Sequence, residues 1–252
     1  MNKISEKRAE NEQKQYDEGI DREAYSSFFS HCGAYSIDET NNDIYNLMKD
    51  AENKTVLEIG STSWFDWIEK NNIKPYEIHS INISEKELDK GRELAKLAIN
   101  KPVFHLMDAH KMKFDIKFDY IIGGGILHHI DLETVLPLIR ASLHDDGKMI
   151  FIEPLDINLI SKIIRFVTPS ARTTDELPFR FKHIRVLKKY FKIKIFAYEF
   201  LSVPFGVVSR VIFKEKKNRL TRFAHYLDSK LKVWVPFMKY YYRYVIFHGT
   251  KR

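Results

Sequence analysis

The sequence predicts an α/β protein built on a doubly wound, mostly parallel sheet. Three observations carry this. Short apolar runs alternate with helical stretches from Thr55 to Glu153, the rhythm of strand–helix–strand units with right-handed crossovers. Each run stops at a glycine, an acid or an amide. Past Glu153 the rhythm gives way to helices set between two final strands.

Residues 1–50 read as a helical cap, charged at first and then apolar-aromatic at Tyr25, Phe28, Phe29, Ile44, Leu47 and Met48. The sheet opens at Thr55-Val56-Leu57-Glu58-Ile59, an apolar run of the kind buried on both faces. It ends at Gly60. A small polar turn, Ser61-Thr62-Ser63, leads into Trp64-Phe65-Asp66-Trp67-Ile68, with Ser63 the expected helix N-cap. A strand, a tight turn and a helix N-terminus together offer free N–H groups to an anionic or nucleotide ligand.

Tyr76 to Ile83 is the second strand, and Ser84 with Glu87 forms a capping box for the helix behind it. Pro102 to Met107 is the third strand, ending at Asp108-Ala109, and Phe118 to Ile122 the fourth, ending at Gly123-Gly124-Gly125. Asp131 caps a helix carrying Leu132, Val135, Leu136 and Ile139, with Pro137 inside it. Asp145-Asp146-Gly147 reads as a turn before a fifth strand, Lys148 to Glu153. Beyond it come amphipathic helices at 157–167 and 184–190, a strand at 192–198, a basic segment, and a last strand at 244–248.

With 252 residues, 44% hydrophobic and 30% charged, the chain can bury a full core. Its single cysteine, Cys32, cannot form an internal disulfide and reads as a buried thiol. Residues 1–17 lack the apolar stretch of a signal peptide, and no uncharged apolar run reaches the roughly 18 residues of a spanning helix. A cytoplasmic location is therefore expected, with peripheral contact at the inner membrane face left open. The net charge of +7 is concentrated: residues 204–243 hold ten Lys or Arg against Glu215 and Asp228. Interleaved with Phe, Trp and Tyr, that segment suits anionic headgroups or a lipid-linked substrate, RNA, or a solvated helical face.

In this order the strand ends resemble those of the class I S-adenosylmethionine-dependent methyltransferases, most of all the branch acting on small molecules, sugars and quinones. The resemblance is specific over about residues 50–155. The family's first motif is an acid followed by alternate glycines; here it reads Glu58-Ile59-Gly60-Ser61-Thr62-Ser63-Trp64, with only the first glycine kept. Asn82 stands where relatives carry the acid that holds the ribose, and Ile83 follows it. Asp108-Ala109 matches the adenine-contacting pair, and Gly123-Gly124 the place beside the cofactor's methionine end. The resemblance implies a seven-stranded Rossmann-like sheet over 51–252, with S-adenosyl-L-methionine as cofactor and helical lids at about 155–190 and 204–243. Tyr16, Tyr25, Arg172–Glu176 and Arg180 fall where relatives close over their ligands.

Leu127-His128-His129-Ile130 carries the chemistry. A histidine titrates near neutral pH and can take the proton of a weak nucleophile such as a hydroxyl. Relatives place such a pair over the methyl donor, with Glu153 beside it. His128 is the preferred base and His129 the second. No carboxylate cluster or cysteine pair accompanies His105, His128 and His129, so no metal is expected. The expected activity is in-line O-methylation of a small or lipid-linked acceptor, with a sugar among the acceptors considered. An RNA methyltransferase, or a binding protein of this fold that has lost catalysis, stays open as an alternative.

Overall fold

The computed structural model describes residues 3–18, 26–27, 29–156, 158, 161–163, 166 and 179–252. Tyr25, Phe28, the loop 172–176 and most of the helix expected at 157–167 lie outside them.

Helix α1 (Lys3–Glu18) and helix α2 (Ser36–Met48) precede the sheet. Strand β1 (Thr55–Ile59), helix α3 (Trp64–Lys70), strand β2 (Glu77–Asn82), helix α4 (Glu85–Leu94), strand β3 (Val103–Leu106) and strand β4 (Phe118–Gly124) follow. Then come helix α5 (Leu132–Ser142), strand β5 (Leu143–Pro154), helix α6 (Phe181–Tyr190) and strand β6 (Phe191–Tyr198). Helix α7 (Ser202–Ile212), helix α8 (Arg219–Trp234), a 3₁₀ turn (Pro236–Tyr241) and strand β7 (Tyr244–Lys251) complete the chain.

The seven strands form one sheet in the order β3-β2-β1-β4-β5-β7-β6. β7 runs antiparallel to both β5 and β6, and the other pairs are parallel. Successive residues of each central strand enter opposite cores. Leu57, Ile121, Phe151 and Phe247 face helices α5 and α6, whereas Val56, Ile122, Ile150 and Ile246 face α2 and α3. Burial on both faces explains the near-continuous apolar strands. Of the expected cap, α2 is thus part of a sheet-covering layer.

Three local expectations change. Ser63 makes no side-chain cap, because a buried carboxylate supplies the acceptor instead. Gly123 and Gly124 lie within β4, whose pairing with β5 runs to Gly124. The expected turn Asp145-Asp146-Gly147 is an irregularity inside β5, where the register jumps between Phe118 and Tyr120. Ser84 does cap α4, its oxygen accepting from the Glu87 N–H at 3.2 Å, and Asp131 caps α5.

Residues 204–243 form the α7–α8 hairpin and the 3₁₀ turn. The hairpin is tied to the N-terminal region: Lys217 pairs with Asp38, Lys232 with Glu39, and Val203, at the start of α7, packs on Phe29 and Cys32. Among the described residues no helix is long and apolar enough to cross a membrane.

Candidate functional site

At the carboxyl ends of the parallel strands lies a cavity of about 700 Å³, within the range of small-molecule and cofactor sites, ~300–1,000 Å³. Its lining comes from the loops after β1, β2, β3 and β4, one side of α4, one side of α1, the end of β5 and the start of β7. No residue of 204–243 lines it.

The β1 loop is held from beneath. Glu58 is fully buried, and its Oε1 accepts the N–H groups of Ser63 at 3.0 Å and Trp64 at 3.2 Å, together with the Ser61 hydroxyl. Burial pushes the Glu58 carboxyl up, against the downward pull of those hydrogen bonds. The same carboxylate replaces Ser63 as the cap of α3. Gly60 turns the chain with φ +87°, a region open to glycine; a Cβ there would sit 2.7 Å from Ile126.

The missing glycines are compensated by where the side chains go. Thr62 Oγ1 donates to the Glu87 carbonyl on α4 at 3.1 Å, and its Cβ fills the notch left by Gly91, where an added Cβ would be 2.7 Å away. Trp64 joins the core beneath the sheet. The loop after Gly60 therefore leaves the cavity open.

Asn82 ties the first two loops together: its Nδ2 donates to the Gly60 carbonyl at 2.7 Å, and its Oδ1 accepts the Ser84 N–H at 2.9 Å. One N–H and one lone pair of the amide remain to face a ligand. Asp108 Oδ1 accepts both the backbone N–H of His110, at 2.9 Å, and the His110 ring Nδ1–H, at 2.7 Å. His110 Nε2 accepts the Asp131 N–H at 3.0 Å, which fixes that tautomer. Burial pushes the Asp108 carboxyl up, but the bonds from His110 outweigh it and hold the carboxyl below its ordinary value.

Glu153, at the end of β5, is the counterpart of Glu58. It is fully buried; Oε1 accepts the N–H groups of Ile126 at 3.0 Å and Leu127 at 2.8 Å, and Oε2 accepts His128 Nδ1–H at 2.7 Å. With the ring proton at Nδ1, the basic nitrogen of neutral His128 is Nε2. The His129 ring lies against that of His128, with centroids 4.0 Å apart and planes inclined at 41°, and its Nδ1 donates to Glu12 on α1 at 2.7 Å. Tyr16 meets the His129 ring edge-on at 6.3 Å.

Gly60, Ser61, Thr62, Asn82, Ile83, Asp108, Ala109, Gly124, His128 and His129 thus line one cavity. Glu58 and Glu153 lie under its floor and shape the loops. Gly123 lies below the lining, where an added Cβ would meet the Phe151 ring at 2.7 Å. His105 stands apart, stacked on His79 at 5.1 Å. Sequence reasoning missed Glu12, Gly91, His110 and Tyr244 as members of the site. His110 alone left a trace, two residues after an acid that ends a strand.

No protein-family profile and no curated protein matches this chain. Solved structures do. The N-methyltransferase NodS from Bradyrhizobium japonicum WM9, in complex with S-adenosyl-L-homocysteine, is 11% identical over 85% of this chain and 86% of its own, with a TM-score of 0.54. Geranyl diphosphate C-methyltransferase from Streptomyces coelicolor A3(2) is 10% identical over 85% of this chain and 79% of its own, with a TM-score of 0.58. The PH0226 protein from Pyrococcus horikoshii OT3 is 18% identical over 86% and 90%, with a TM-score of 0.55. At these identities the likeness is one of fold: the chain has the Rossmann-like fold of methyltransferases.

Proposed function

We propose that this chain is an S-adenosylmethionine-dependent methyltransferase that transfers a methyl group to a hydroxyl of a small or lipid-linked acceptor. The observation that carries the reading is the His128–Glu153 pair at 2.7 Å on the wall of an open cavity at the carboxyl edge of the sheet.

The residues fit the cofactor. In this reading Asn82 holds the ribose hydroxyls with its remaining N–H and lone pair, and Asp108 Oδ2 takes the adenine amino group. The Gly60–Ser63 turn and Gly124 leave room for the methionine end, since Thr62 and Trp64 turn elsewhere. When bound, S-adenosylmethionine supplies a sulfonium-activated methyl group.

The chain's own work is to position and deprotonate. A hydroxyl is a poor nucleophile until its proton leaves, and His128 Nε2 is the nitrogen set to take it. Glu153 keeps the ring in that tautomer and stabilises the imidazolium that results, much as a buried carboxylate does in other histidine dyads. Held also by Ile126 and Leu127, the carboxylate costs no reorganisation when the proton moves. Orientation of the acceptor within the cavity supplies much of the remaining rate.

Titration of S-adenosylhomocysteine by calorimetry tests the cofactor, and no heat at millimolar ligand overturns the reading. Release of S-adenosylhomocysteine over a panel of sugar, phenol and quinol acceptors then tests the base. His128→Ala should lower turnover by about 10²–10⁴-fold while still binding S-adenosylhomocysteine. Unchanged turnover removes His128 from the mechanism.

A further inference from the structure

The α7–α8 hairpin turns one side to the protein and leaves the other without cover. On α7 the buried positions are Ser202, Val203, Gly206 and Ser209, whereas Val208, Val211 and Ile212 point outward, Val211 at 85% exposure. On α8 the buried positions are Thr221, Ala224 and Asp228. The outward apolar positions are Phe223, Tyr226 three residues on, and Val233 seven further, a spacing that keeps them on one side of the helix, with Trp234 beside Val233 and 72% exposed. The Phe205 and Phe223 rings meet edge-on at 6.2 Å and join the two stripes. Phe237, in the 3₁₀ turn, extends them. A contiguous apolar surface of this kind marks an interaction site.

Cations border this stripe. Lys214 and Lys216, in the turn between the two helices, and Arg219, four residues before Phe223, are exposed and have no carboxylate at ion-pair distance among the described residues, whereas Lys217 and Lys232 pair with Asp38 and Glu39. Of the two acids in 204–243, Asp228 is buried and accepts the N–H groups of Phe200, Leu201 and Ser202 at the start of α7. Only Glu215 is left to oppose the cations.

A partner for this face must be both negative and able to take aliphatic side chains out of water. We propose that the outer face of α7 and α8 docks on a bilayer surface containing anionic phospholipid, with the aromatic and aliphatic stripe in the headgroup boundary and the lysines and arginines against the lipid charge. RNA fits less well. Bases could stack on Phe223 or Trp234, but Val208, Val211, Ile212 and Val233 offer no ring to stack on. The hairpin leaves the sheet at the end of β6 and returns at Tyr244, which lines the cavity; a docked protein therefore carries the cavity near the membrane surface. Docking does not depend on the chemistry proposed above and is tested without it.

The full chain is sedimented with vesicles of phosphatidylcholine alone or with phosphatidylglycerol added. Binding to the second kind only, falling with salt, is expected, along with a blue shift of tryptophan emission that Trp234→Phe removes. The variant K214Q/K216Q/R219Q should bind about a hundredfold more weakly, and V211S/W234S at least about tenfold, each with the circular dichroism and Tm of the parent. The proposal is overturned by absence of binding to phosphatidylglycerol vesicles, or by binding that neither variant weakens. It is equally overturned if V211S/W234S instead dissolves a dimer, or if the chain retains RNA in place of vesicles.

Discussion

Glu12 Oε1 on α1 and His129 Nδ1 in the loop after β4 stand 2.7 Å apart, both side chains buried. This contact joins an otherwise polar helix to the loop that carries the candidate base. Breaking a buried pair from one side leaves the other group stranded in a place it was desolvated to reach.

Glu12→Ala should therefore release α1. Even a loss of about 1.4 kcal/mol corresponds to a factor of ten, so amide exchange across Lys3–Glu18 should accelerate at least about tenfold while the central strands keep their protection. Exchange by mass spectrometry reads this directly, and unchanged protection in α1 would refute the contact.

Glu58→Ala removes the acceptor of the buried Trp64 N–H and of the half-buried Ser63 N–H at the start of α3. The buried group left unsatisfied costs about 1–3 kcal/mol, so Tm should fall by roughly 2–12 °C at about 2–4 °C per kcal/mol for a chain of this size. Glu58→Gln keeps an acceptor oxygen and should lose less. Equal melting of both variants would show that the carboxylate is not the cap.

Gly91→Ala sets two effects against each other. Alanine gains up to about 1 kcal/mol of helix propensity within α4, but its Cβ would lie 2.7 Å from Thr62 Cβ and 2.8 Å from the Phe104 ring. Overpacking typically costs about 1–3 kcal/mol and should win. Urea unfolding should show a net loss, accompanied by weaker S-adenosylhomocysteine binding as Thr62 is pushed toward the cavity. A stabilised variant would mean that α4 and the β1 loop separate freely.

Acid should unfold the protein through its histidines. Burial holds His31, His105 and His248 below the ordinary imidazole value, helped by Lys216 and Arg210, by His79, and by Lys148 and Lys194 respectively. The unfolded chain binds these protons more readily, so the stability they allow is complete above about pH 6.5 and is lost as pH falls through the depressed folded values. Urea midpoints measured from pH 7.5 downward should decline, and His105→Gln should flatten part of that decline. A midpoint independent of pH across this range would contradict the desolvation of all three.

The architecture was legible because the signals are local: apolar runs such as Val56 to Ile59 and Ile150 to Ile152 write burial on both faces into a few consecutive residues. Asn82, Asp108 and the Leu127–Ile130 run were legible as strand-end residues at regular intervals. The cap of α3 was not, because Ser63 was outcompeted by a carboxylate that lies five residues away and is aimed back by the turn. Gly123 reads as loop in the sequence because a triple glycine hides where β4 stops pairing with β5. Glu12 could not be found, since it is one acid among several in a polar helix and its partner is 117 residues distant.

The placement of β7 between β5 and β6 bears on biosynthesis. Among the described residues β6 borders no other strand, so while residues 244–251 are still unmade it has no strand there to pair with, and the open flank of β5 is a template for stray chains. Nascent polypeptide that stalls before Tyr244 is thus the form most prone to aggregate, and truncations on that side should fail at solubility before any failure of chemistry.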